Sequence, residues 1–150
     1  MKPVHKVPLS SRFRGFLPVV VDIETAGLDP KRHAILEISI VLIEMKEDGY
    51  FYPESTYFEH ILPFEGAELD PVSLAFTQID PFQPLRFALH EKQALLSLFK
   101  PIKAAVKKNH CQRAVLVGHN AWFDLGFVKA AAARVHIHKH PFHSFTTFDT

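Results

Sequence analysis

The sequence predicts an α/β domain, and three observations predict it. Three apolar runs follow one another with short links between residues 16 and 62. Residues 91–108 carry apolar side chains at helical spacing, and a short strand-like run at 114–118 passes into an alanine-rich stretch at 121–134. Residues 1–15 hold two prolines and little periodicity and read as a basic N-terminal arm, with one domain over residues 16–150. Residues 16–23 are rich in β-branched side chains, with Pro18 near the start, and suit a buried strand. Residues 34–45 form a second strand and residues 57–62 a third. The charged, glycine-ended segment 46–49 makes a turn after the second, so the three strands predict an antiparallel meander. In residues 91–108, Leu95, Leu98, Phe99, Ile102 and Val106 recur on one face with lysines opposite, which predicts an amphipathic helix. Pro101 lies inside it and is expected to kink or divide it, because proline removes a backbone donor and crowds the preceding turn. Residues 114–118 read as a buried strand, 121–134 as a helix with Asn120 as its N-cap, and 145–148 as the start of a fifth strand.

The chain has 150 residues, 47% of them apolar, and a formal net charge of +1. That is enough to bury one core and excludes a disordered or coiled-coil chain. The apolar runs at 16–23 and 38–43 are too short to span a bilayer, and no signal-peptide pattern opens the chain. Cys111 is the single cysteine, so no internal disulfide exists and a reducing cytoplasm is the expected compartment. Charge is segregated: residues 15–91 hold 14 acids and 4 bases, whereas the flanks hold 13 bases and 2 acids. Lys2, Lys6, Arg12 and Arg14 form one basic stretch, and Lys100, Lys103, Lys107, Lys108 and Arg113 another. Folded together they make a cationic face of the kind that concentrates a polyanion.

Asp22 and Glu24 stand two apart at the end of the first strand, so their side chains share one face of the sheet. Two adjacent carboxylates repel, and a divalent cation with a taste for hard oxygen ligands relieves the repulsion. Asp124 falls one turn into the helix that follows the 114–118 strand, from where it reaches back over the strand ends as a third ligand. His136, His138, His140 and His143 place three imidazoles on one side of an extended segment. They lie in a helix-to-strand connection with no cysteine among them and are not read as a zinc site.

Asp22-Ile-Glu-Thr25 on a strand, followed by His119-Asn-Ala-Trp-Phe-Asp124 on a strand-to-helix turn, resembles the first two motifs of the DEDD exonuclease superfamily. Arg12-Phe-Arg-Gly-Phe16, Val21-Asp-Ile-Glu-Thr-Ala-Gly27, Leu74-Ala-Phe-Thr-Gln-Ile-Asp-Pro81 and residues 141–150 are similar to segments of its ribonuclease T family, so the resemblance covers nearly the whole chain. The resemblance implies a ribonuclease H-like mixed sheet, the antiparallel meander followed by parallel strands, with flanking helices. It further implies a homodimeric, metal-dependent 3′-to-5′ exoribonuclease that trims short 3′ ends of tRNA and other stable RNAs, with single-stranded DNA as a further substrate. Two Mg²⁺ ions, or Mn²⁺ in their place, would be held by Asp22, Glu24 and Asp124. Phe76, Phe123 and Phe145 match positions that stack terminal bases, and Arg12, Arg14 and Arg113 match positions that hold the RNA body across the dimer. His119, Asn120 and Asp149 are candidates for supporting the ligands. Leu28 departs from a phenylalanine of the family and Val72 from a glutamate, which removes a π-face and a hydrogen bond from the base pocket.

The superfamily completes its site with a later His-x-x-x-x-Asp motif, the histidine acting as general base and the aspartate as fourth carboxylate. That motif and the C-terminal helices that cover the sheet are not among residues 1–150, and whether the motif follows Thr150 in the source chain separates a fragment from a natural truncation. The chain is accordingly expected to be inactive alone, as a fragment or a natural truncation, with one sheet face exposed. A non-catalytic nucleic-acid-binding or dimerisation fragment, or a DNA proofreading-type exonuclease of the same superfamily, stand as the alternatives.

Overall fold

The computed structural model describes residues 5–150; Lys2 of the first basic stretch lies outside them. Strand β1 (Lys6–Val7) is followed by two tight turns, Leu9–Ser11 and Phe13–Gly15, and then by β2 (Leu17–Thr25), β3 (Ile35–Lys46) and β4 (Phe51–His60). Helix α1 (Pro71–Thr77), a turn at Pro84–Arg86, α2 (Glu91–Lys108), β5 (Ala114–Gly118), α3 (Ala121–Arg134) and β6 (Phe142–Asp149) complete the chain. The meander is present: β3 pairs antiparallel with β2, Val19 opposite Leu42, and with β4, Val41 opposite Thr56. On the other side of β2, β5 runs parallel to it and β6 parallel to β5. The result is a mixed α/β sheet of ribonuclease H-like order, with β2 at its centre.

Period-two alternation decides which face is buried. Val19, Val21 and Ile23 of β2 and Ile38, Ile40 and Leu42 of β3 are buried in one cluster with Leu95, Leu98, Phe99 and Ile102 of α2 and Leu125 and Val128 of α3. Full burial of each such side chain contributes roughly 1.5–3 kcal/mol before chain entropy is charged against it. Val20, Val41 and Val117, on the opposite face, are half-buried, and Phe13 packs there against Phe51 and Phe148 at 5.5 and 5.8 Å between ring centres. Ahead of β2 the chain is held down: β1 pairs with Met45 and Lys46, and Leu9 is fully buried.

Four local expectations are corrected. Helix α2 runs undivided through Pro101, flanked by buried Leu98, Phe99 and Ile102, whose packing outweighs one missing backbone donor. β4 begins at Phe51 rather than 57, because an edge strand tolerates Pro53 and needs no apolar alternation. β6 begins at Phe142, which is fully buried. Asn120 does not cap α3 with its side chain; it adopts the left-handed conformation, φ 55°, which asparagine enters more readily than other side-chain-bearing residues.

Candidate active site

Asp22 and Glu24 lie on one face near the end of β2, paired across β3 with Ser39 and Glu37. Asp124 comes to the same place from the first turn of α3. The approach depends on Gly118: a Cβ there would stand 2.9 Å from the Val21 carbonyl oxygen and 3.7 Å from Asp124 Oδ2. Asp124 is only 5% exposed. Burial, followed by the charge of Asp22, pushes its carboxyl up to about 7, with Glu24 adding to the shift against opposing backbone hydrogen bonds. The Glu24 carboxyl is raised by burial first, then by Asp22 and Glu37. Burial and the nearby charge of Asp22 thus disfavour the ionised forms of Glu24 and Asp124, and a hard divalent cation among these carboxylates would remove that penalty. The donor set, three carboxylates and no sulfur or imidazole, fits Mg²⁺ or Mn²⁺. Among the described residues no group of three or more His, Cys, Asp or Glu side chains is, as placed, arranged to hold a metal ion.

Beside Glu24 opens a cavity of about 380 Å³, walled by Leu28, Val72, Phe76 and Phe123 with Ser73 at its side. Phe76 is 86% exposed, a large cost in water for a ring with no partner. Asp70 holds the α1 wall, and an ion pair ties α2 to α3. Asp70, just ahead of α1, accepts from the backbone N–H groups of Val72 (3.4 Å) and Ser73 (3.2 Å) and from the Ser73 hydroxyl (2.8 Å), while its own N–H donates to the Ala26 carbonyl at 2.8 Å. The Arg134 guanidinium donates to both oxygens of buried Glu91 at 2.8 Å and to the Pro30 carbonyl at 3.3 Å, and lies 3.7 Å from the centre of the Phe64 ring. Helix α1 and these supports are absent from the sequence reading. The Asp70-Pro71 pair is a helix-start signal that could have found α1; nothing local points from Arg134 to Glu91, 43 positions away.

The remaining candidates divide. Asp149 accepts from the Ala121 N–H at 2.9 Å, so it supplies the capping contact that Asn120 does not, and it fixes the turn from which Asp124 projects. His119 and Asn120 are exposed. Phe145 lies outside the cavity, 5.3 Å from Lys129 Nζ and beside His143. Arg12, Arg14 and Arg113 flank the starts of β2 and β5, at the opposite end of the strands from the carboxylates. The two basic stretches do meet there: the Gln112 N–H donates to the Gly15 carbonyl at 2.9 Å, and Arg113 donates to the carbonyls of His140 and Phe142 at 2.8 Å. Next to them an open groove of about 650 Å³ is lined by Lys103, Lys107, Arg113, Lys139, His138 and His140.

A mixed sheet with carboxylates gathered at the ends of its central strands and a ring-sized apolar cavity beside them defines a nuclease-type domain. The chain belongs to the exonuclease family, whose model matches residues 19–150. It is 56% identical over 143 residues to the protein named ribonuclease T of Marinobacter nauticus, covering 95% of this chain and 65% of that protein. Against ribonuclease T of Hahella chejuensis the identity is 55% over 145 residues, covering 97% and 66%. The chain therefore spans slightly less than two thirds of the length of these relatives. In fold it is similar to Escherichia coli exonuclease I in complex with a dT13 oligonucleotide, with TM-score 0.63 and 15% identity over 89% of this chain and 27% of that one. Exonuclease I of Methylocaldum szegediense gives 0.61 and 16% over 79% and 24%. No helix among the described residues is long and apolar enough to cross a membrane.

Proposed function

We propose that this chain carries the metal-binding and RNA-end-binding parts of a 3′-to-5′ exoribonuclease that trims the 3′ ends of tRNA and other stable RNAs in the cytoplasm. The observation that carries the reading is the placement of Asp22 and Glu24 on one face near the end of β2, with buried Asp124 brought to the same strand ends by the close approach at Gly118, beside an apolar cavity that Glu24 lines. Asp22, Glu24 and Asp124 would hold Mg²⁺, or Mn²⁺ in its place, which when bound supplies charge stabilisation at the phosphorus being displaced. Phe76 and Phe123 offer ring faces to a terminal base, and base stacking on an aromatic is worth roughly 1–3 kcal/mol. Glu24 lines the same cavity, which sets the base close to the carboxylates. With Leu28 and Val72 as the other walls, the cavity grips a base by contact and not by reading its edge, so the four bases are expected to be removed at similar rates.

Arg12, Arg14 and Arg113 stand too far along the strands to serve the carboxylates of their own chain. The reading places them against RNA bound by a second copy, guanidinium forks on phosphate oxygens, in a homodimer. Binding of Mg²⁺ to the 150-residue chain by calorimetry tests the metal site: Asp22→Asn is expected to abolish it. Incubation with an RNA carrying a short 3′ overhang, beside a single-stranded DNA of the same length, tests the substrate. Binding of the RNA end without Mg²⁺-dependent turnover would support a non-catalytic binding role for these 150 residues, and faster DNA turnover a proofreading-type enzyme.

A further inference from the structure

The outer face of α3 carries side chains that neither the carboxylates nor the cavity use. Trp122, the single tryptophan of the chain, is 55% exposed on the first turn, directly between the capped Ala121 and the cavity-lining Phe123. Residues 122, 126 and 129 follow at i, i+4 and i+7 and so share one stripe of the helix. The middle one is Gly126, where an added Cβ would meet nothing within 4 Å. At the far end Lys129 donates one N–H to the Ser144 carbonyl at 3.1 Å and lies 5.3 Å from the ring centre of Phe145, which is 78% exposed. An ammonium has three donors, so two stay free for another acceptor. The stripe thus reads indole, bare helix, cation, phenyl ring, over about 10 Å of helix leading away from the carboxylate end. Of the acids beside the stripe, Asp124 of the same helix is buried and Asp149 accepts from the Ala121 N–H.

We infer that this stripe is a track for single-stranded RNA upstream of the nucleotide seated in the cavity. A base stacks on Trp122, the backbone crosses the open ground at Gly126, and Lys129 takes a phosphate. Alternating aromatic faces and cations are what a single strand needs from a protein that does not read its sequence. The inference rests on the proposed RNA-end binding, and the experiment separates the two. In the 150-residue chain Trp122 is the only indole, so its fluorescence reports on that position alone. The probes are an RNA dinucleotide and an RNA hexanucleotide, titrated in EDTA to prevent turnover. The hexanucleotide is expected to quench Trp122. The ratio of hexanucleotide to dinucleotide affinity is expected to fall about fivefold or more in Trp122→Ala and to recover in Trp122→Phe. Lys129→Gln is expected to lower the salt slope of hexanucleotide binding by about one. Unchanged emission together with an unchanged affinity ratio in Trp122→Ala would overturn the track while leaving the end-binding reading in place. If neither oligonucleotide binds the unsubstituted chain, the end-binding reading falls and the track falls with it.

Discussion

Asp124 occupies a position that a lone carboxylate avoids, buried and facing two other acids. Its carboxyl is raised from an ordinary 3.8 to about 7, so the unfolded chain loses this proton first as pH rises. The stability it contributes is complete below about pH 4 and is lost through pH 7. At pH 8 the metal-free protein therefore carries a penalty on the order of a few kcal/mol, one pKa unit being worth about 1.4 kcal/mol. Asp124→Asn is expected to raise the metal-free melting temperature at pH 8 by about 5 °C or more and to abolish its further rise with Mg²⁺; a lower melting temperature in the variant would contradict this account. Gly118→Ala is expected to act in the opposite sense, because the new methyl group meets a backbone carbonyl that cannot swing aside. Its cost is about 1–3 kcal/mol, measurable by urea unfolding, and a neutral result would mean the strand ends part more easily than their packing implies. The three acids were legible in the sequence because period-two spacing and one helical turn put them on known faces. Gly118 was not, since its role lies in a contact with Val21, 97 positions earlier.

At the scale of elements, α1 is the most exposed to its surroundings. Seven residues cannot sustain a helix without help, and Asp70 supplies it. Hydrogen bonds from Ser73, then from its backbone N–H and that of Val72, hold the Asp70 carboxyl below its ordinary 3.8 against an opposing effect of burial. The support is present above pH 3.8 and is lost as pH falls further, through the lowered pKa. Hydrogen exchange is expected to show the protection of the Val72 and Ser73 amides falling below about pH 4, before global unfolding. Asp70→Asn, which can still accept, should remove most of that pH dependence, and equal behaviour of the two proteins would refute the assignment. The sequence made α2 plain through apolar periodicity and α3 through its alanine-rich run. It left α1 hidden because seven residues hold too few turns for a period to register, so only the Asp70-Pro71 start could speak for it. Pro101 misled in the other direction: its local penalty was visible, the packing that outweighs it was not.

At the scale of the whole molecule, the cationic and carboxylate ends are separated by the length of β2. Arg12, Arg14, Lys103, Lys107 and Arg113 gather at one end and Asp22, Glu24 and Asp124 at the other. The charge segregation along the chain is kept only in part, since Lys6 pairs with Glu44, Lys108 with Glu54 and Arg134 with Glu91 of the acidic middle segment. The pairing of sheet strands was legible as a meander, whereas the parallel placement of β5 and β6 rested on the resemblance and not on any local signal. If the arginines serve a second copy, equilibrium sedimentation should give twice the chain mass at working concentrations. Arg12→Ala combined with Arg113→Ala should weaken binding of a stem-bearing RNA about tenfold or more while leaving Mg²⁺ affinity unchanged. A monomer with undiminished RNA affinity would count against this arrangement.

Arg134 ties Glu91 of α2, the Pro30 carbonyl and the Phe64 ring into one fastening, whereas the α1 wall of the cavity hangs on the contacts of Asp70 with Ala26, Val72 and Ser73. A wall that hangs on one aspartate, with the Phe76 ring 86% exposed, can settle on whatever enters. One-ring and two-ring bases should therefore be received alike, by a wall that gives, instead of being sorted by girth at the threshold.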